Sequence, residues 1–179
     1  EDEGIFVVSC CGGAKTHIRM PAEWETVPAD MVPVLIKIRG LNGGHSGSDI
    51  HLQRANANKL MGRILRQIAK TFYFRLGSIN GGLMDNAITR ECDAAIYIMA
   101  EDMEELRDLC LQFEDIFNNE YSGSESGIHV IAEYNKAVSG KALSVQTANN
   151  IIYALNMIPY GVLRRSMDIN GLVESSNNP

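Results

Sequence analysis

No stretch of this sequence approaches the ~20 consecutive apolar residues that a membrane-spanning helix needs, and no signal peptide opens it. Basic blocks are absent as well. With a net charge of −6 and no lysine- or arginine-rich run, nucleic acid and acidic membrane surfaces are poor candidates for the main partner. Cysteine is scarce: Cys10, Cys11, Cys92 and Cys110 include no C-x-x-C pair, which removes the usual zinc and redox motifs. Cys92 and Cys110 sit in apolar runs, where a cysteine acts as a small hydrophobe, so a reduced, cytoplasmic setting is expected. Histidine is equally thin. His17, His45, His51 and His129 form neither H-x-x-x-H nor H-E-x-x-H. There is no Walker lysine, no G-x-G-x-x-G, no G-x-S-x-G elbow, no internal repeat and no low-complexity tract.

What is present is an ordinary globular composition, 45% hydrophobic and 21% charged over 179 residues. That is enough for one domain, or one domain with extensions, and for a sizeable core. Both ends read as cuts: the chain starts on Glu1-Asp2-Glu3-Gly4 without methionine and stops soon after a strand-like stretch.

Apolar patterning predicts strands at 5–10, 14–21 and 33–39, the last with Pro33 in first position, and a loop around Trp24. A helix is expected over 52–69, with Asp49 ahead of it as an anion for its dipole. Residues 71–76 and 93–99 form a hairpin with a glycine-rich crossing. A helix from about 101 to 117, a strand at 128–133, a helix over 144–158 ended by Pro159, and strand material at 161–164 and 171–173 complete the chain. This alternation predicts an α+β fold, an antiparallel or mixed sheet with two to three helices packed on one face.

The chemistry centres on Gly43-Gly44-His45-Ser46-Gly47, between strand and helix. Glycines on both sides free the backbone and admit close approach of a ligand, so His45 is expected to reach outward. Ser46 beside it does not make a Ser–His pair, since neighbours in sequence need not face each other. The loop could also offer backbone N–H groups to a phosphate or carboxylate. His45 and His51 are separated by a loop-to-helix transition, and Glu1, Asp2 and Glu3 lie at a terminus, so these acids and histidines read as solvated and no metal is expected in the chain. A second glycine loop, Asn80-Gly81-Gly82, leads to Asn86. From the residues alone, Asn86 reads as a turn cap ahead of a substrate contact.

One group of motifs is more specific. Lys37-Ile38-Arg39-Gly40-Leu41-Asn42-Gly43-Gly44-His45-Ser46-Gly47, continuing Asp49-Ile50-His51 and Asn56-Ala57-Asn58-Lys59-Leu60, resembles the aminoacyl-histidine dipeptidases, which cleave Xaa-His dipeptides such as carnosine. So do Asn80-Gly81-Gly82 with Asn86-Ala87-Ile88-Thr89-Arg90-Glu91, and Gly161-Val162-Leu163-Arg164. The match runs in order through nearly the whole chain. These are two-zinc exopeptidases with a catalytic domain and an inserted lid, or dimerisation, domain. The resemblance implies that residues 1–12 are a junction from an absent catalytic domain. It makes 13–179 the lid, without its last strands and with no zinc ligand or general base. It implies further that the lid forms a homodimer. His45 would enter the partner's active site to hold an oxyanion or substrate carboxylate, Asn86 would bind the dipeptide, and Arg164 takes no substrate role. Helix 52–68 or a free sheet edge is the expected dimer contact. The competing reading is a non-catalytic interaction module whose glycine loop binds a small carboxylate or a protein partner.

Overall fold

The computed structural model describes residues 3, 4, 6, 12–135 and 139–179. The strand expected at 5–10 lies largely outside them. The elements are β1 (Trp24–Thr26), β2 (Met31–Arg39), β3 (Gly44–His45), α1 (Ala57–Thr71), β4 (Phe74–Gly81), β5 (Ala87–Ile88), β6 (Cys92–Met99), α2 (Met103–Glu120), β7 (His129–Tyr134), β8 (Lys141–Leu143), α3 (Val145–Met157), β9 (Gly161–Arg165) and β10 (Val173–Asn177). A 3-10 turn, Ile50–Leu52, lies between β3 and α1.

Four strands form the main sheet in the order β4-β6-β2-β7, all antiparallel. Chain order β2-α1-β4-β6-α2-β7 makes this a split β-α-β arrangement, with two helices laid across one face. The period of two explains which face: Val34, Ile36 and Ile38 of β2 and Ala94, Ile96 and Ile98 of β6 are fully buried in one cluster with Leu60, Ile64, Leu65 and Ile68 of α1 and Leu106 and Phe117 of α2. The other face carries ion pairs, Lys37 with Glu133 at 2.5 Å and Arg39 with Asp93 at 2.7 Å. The α+β architecture expected from the sequence is the one observed.

Four local expectations are corrected. Residues 14–21 form no strand; they are exposed and join no ladder, so their alternation has no buried side to serve. Trp24 is in a short strand rather than a loop, because Trp24, Glu25 and Thr26 pair with Leu143, Ala142 and Lys141. The first helix begins at Ala57, not near 52. Its N-cap is Asn56, fully buried, whose Oδ1 accepts the N–H groups of Asn58 (2.9 Å) and Lys59 (3.3 Å). Pro33 occupies the third position of β2, where its carbonyl accepts the Asn135 N–H at 2.9 Å just past the end of β7.

Packing between α1 and α3 depends on two residues of α1. A Cβ on Gly62 would stand 2.9 Å from the Leu155 Cβ, so only glycine lets the helices approach this closely. Lys59 Nζ donates to the carbonyls of Leu155 (2.5 Å), Asn156 (2.9 Å) and Ile158 (2.5 Å), satisfying the open C-terminal end of α3. Burial holds the Lys59 ammonium below its usual pKa. Among the described residues, no helix is long and apolar enough to cross a membrane.

Candidate functional site

The crossing between β4 and β6 folds back over the first glycine loop. Gly44 pairs with Ile88 and His45 with Ala87, and the Ser46 N–H donates to the Asn86 carbonyl at 2.8 Å. Two loops about 40 residues apart in sequence are thereby joined, with His45 and Asn86 brought into adjacent backbone positions. Both side chains are exposed. The Asn86 amide makes no hydrogen bond among the described residues; its turn is made by the backbone, so the side chain is not spent on a cap.

His45 is anchored from one side only. Its Nδ1 accepts the N–H groups of Gly47 and Ser48, each at 3.1 Å, and its Nε2 has no partner among the described residues. The His45 N–H donates to Asp49 Oδ2 at 2.9 Å, and the Asp49 N–H returns a bond to the His45 carbonyl at 3.0 Å. Asp49 is therefore not an anion for α1, as the sequence led one to expect, but the brace of the histidine loop. The His45 amide, with lesser help from Arg54 and the Ser48 hydroxyl, holds the Asp49 carboxyl below the usual carboxylate range. Arg54 Nη1 donates to the Gly43 carbonyl at 2.5 Å and lies 3.8 Å from Asp49 Oδ2. Gly44 (φ +138°) passes so close beneath that an added Cβ would stand 2.6 Å from Arg54 Nη1 and 2.7 Å from Asp49 Oδ2.

Sequence reasoning missed Glu125, in the loop after α2. One carboxylate oxygen accepts the Asn42 N–H and the other the Ala55 N–H, both at 2.7 Å. Asn42 also donates to the Ser124 carbonyl at 3.0 Å and accepts from Ser126 Oγ at 3.1 Å. The two ends of the histidine loop are thus tied to one side chain some 70 to 83 residues away in sequence. No local pattern signals such a clamp.

Beside the joined loops lies an open cavity of about 620 Å³, lined in part by Arg39, Asn42, Asn80, Thr89, Arg90 and Asp93; neither His45 nor Asn86 lines it. Cys92 opens onto it with a thiol pushed up to about 12 by burial, as is that of Cys110, so neither is a nucleophile at neutral pH. Among the described residues, no three His, Cys, Asp or Glu side chains gather into a metal-ligand set. Arg164 pairs with Glu174 at 2.7 Å across the β9–β10 hairpin.

Residues 36–125 match the M20 peptidase dimerisation domain. The chain belongs to this family. The matched segment runs from the middle of β2 to Glu125 and includes both joined loops. The cytosol non-specific dipeptidase of Escherichia coli (strain K12) is 35% identical over 178 residues, covering 99% of this chain and 36% of that relative. The crystal structure of aminoacylhistidine dipeptidase from Vibrio alginolyticus matches the fold with a TM-score of 0.85 at 34% identity, over 89% of this chain and 32% of that one. The chain spans about a third of the length of these relatives. The resemblance to the aminoacyl-histidine dipeptidases is therefore borne out by both relatives.

Proposed function

We propose that this chain is the lid and dimerisation domain of a longer, cytoplasmic, metal-dependent dipeptidase, with residues 1–12 leading in from the catalytic domain and 13–179 forming the lid. The chain's one-third share of two dipeptidases supports a parent of that kind. A zinc pair in the catalytic domain would activate the attacking water. The described residues of this chain do not fit such a pair, because they gather no ligand set.

What this chain contributes is His45. The observation that carries the reading is its presentation: an exposed ring, anchored through Nδ1, with Nε2 open, on a loop whose backbone is bonded to the one that carries Asn86. A donor fixed in place before reaction stabilises charge that develops only in the transition state, and so raises turnover more than it tightens binding. Among the described residues no metal-ligand set lies at hand, so in this reading the oxyanion or carboxylate it serves belongs to the catalytic domain, and in a homodimer to the partner's active site. Asn86 would orient the dipeptide. Xaa-His dipeptides fall within the proposed substrate range, and the name of the Escherichia coli relative points to further dipeptides beside them.

The test is made in the longer enzyme. His45→Ala should lower kcat on the order of 10²–10³-fold with zinc content unchanged. Mixing this variant with one inactivated in its catalytic domain should restore activity, because one of the two sites in a mixed dimer regains both parts. Near-normal turnover of His45→Ala removes His45 from the reaction. Failure of the mixed dimer to recover removes the action in trans. Turnover of a dipeptide panel with and without C-terminal histidine decides the substrate range.

A further inference from the structure

Two backbone N–H groups, those of Gly47 and Ser48, converge on His45 Nδ1 at 3.1 Å each. A ring nitrogen that accepts N–H bonds presents its lone pair, so the neutral imidazole carries its proton on Nε2. The backbone beneath is held as firmly. Asp49 receives the His45 N–H at 2.9 Å and returns its own N–H to the His45 carbonyl at 3.0 Å, closing a ring that includes the whole turn. That turn is what carries the Gly47 and Ser48 amides to Nδ1. A Cβ on Gly47 would stand 3.1 Å from His45 Cε1 and 3.2 Å from Nδ1, tight enough to displace the ring by a few tenths of an ångström.

We propose that Asp49 is a positioning residue for His45: by fixing the turn, it aims the Gly47 and Ser48 amides at Nδ1 and presents the ring as an Nε2–H hydrogen-bond donor rather than a proton acceptor. The ligand this suits is an anionic or carbonyl oxygen. The role of the donor in turnover rests on the function proposed above; the tautomer stands on the geometry of this chain alone.

Long-range ¹H–¹⁵N correlation of the histidine ring in the labelled chain reads the tautomer directly. In the wild type, Nε2 is expected at the shift of a protonated nitrogen and Nδ1 at that of a bare acceptor. Asp49→Ala should draw the two shifts towards the averaged values of an untethered ring. Asp49→Asn, which keeps an acceptor oxygen, should restore the wild-type pattern. In the longer enzyme, Asp49→Ala should lower kcat on the order of 10–100-fold with KM near wild type, and Asp49→Asn should recover most of it. A wild-type ring protonated on Nδ1 overturns the proposal. So does an Asp49→Ala ring that keeps the wild-type pattern. If the alanine variant does not fold, the wild-type spectrum and Asp49→Asn still decide: a mixed tautomer in either counts against it. Loss of the tautomer without loss of turnover would instead strike the proposed function and leave the tautomer assignment standing.

Discussion

At the scale of single residues, Glu125 shows how a side chain outside the ligand-facing loops can govern them. It holds the N–H groups of Asn42 and Ala55, the first exposed and the second on a fully buried residue. A carboxylate accepting backbone N–H bonds makes charge-assisted contacts, stronger than neutral ones. Glu125→Ala leaves the buried Ala55 amide without a partner, and should cost about 1–3 kcal/mol, read as a lower urea midpoint at unchanged m-value. Hydrogen exchange of the amides over 42–55 should accelerate in the same variant while that of β6 changes little. Asp49 and Lys59 act by the same principle, one bracing a turn and the other closing a helix end. Each is a charged group whose value lies in backbone groups that would otherwise be open.

Among the elements, the outer edge of β7 is only partly available for pairing. Asn118 of α2 donates to the Ile128 carbonyl and accepts the Ile128 N–H, both at 2.8 Å, and Glu114 Oε2 accepts the Val130 N–H at 2.8 Å. Two side chains of one helix thus stand where a neighbouring strand would bond, a protection against unwanted strand addition. The expectation of a free sheet edge as dimer contact is accordingly narrowed at the start of β7. Asn118→Ala should destabilise the chain by about 1–3 kcal/mol, since Ile128 is fully buried and both of its backbone groups lose their partner. It should also raise the tendency to associate, visible as growth of large species in light scattering at concentrations where the wild type stays unchanged. The Arg63–Glu120 pair, bidentate at 2.6 and 2.8 Å, joins α1 to α2 nearby, with the guanidinium 4.7 Å from the centre of the Phe117 ring. Both partners are more than a third exposed, so its contribution is modest beside the edge contacts.

For the molecule as a whole, α3 and β8 are integral to the main core. Leu143, Ala148 and Ile152 belong to the same buried cluster as the sheet and α1. With β1 paired to β8, the elements from β1 to α3 should therefore unfold in one cooperative step. Ile152→Ala is expected to lower its stability by about 2–5 kcal/mol, with tryptophan fluorescence and far-ultraviolet circular dichroism shifting together. Trp24 reports on β1, which pairs with β8, whereas circular dichroism reports mainly on the helices. Separation of the two transitions would show that the β1–β8 sheet melts by itself.

Much of this architecture was legible in the sequence. The period-two run Val34–Ile36–Ile38 and the helical stripe Leu60, Ile64, Leu65 and Ile68 identify buried faces without any knowledge of what buries them. Element ends were less legible, because Asn56 and the 3-10 turn Ile50–Leu52 are selected by hydrogen bonds rather than by hydrophobic period. Residues 14–21 misled for the converse reason: alternation is a strand only where a neighbour supplies the ladder. The local motif determined that His45 sits on a glycine loop and reaches outward, since flanking glycines and polar neighbours are properties of the chain itself. Asp49, four residues on, braces the turn from within the same local segment. The tertiary structure decided that Asn86 stands beside His45 and that Glu125 clamps the loop ends. Contacts between residues 40 to 83 positions apart depend on how β4 and β6 cross and where α2 delivers the following loop, and no local pattern encodes that.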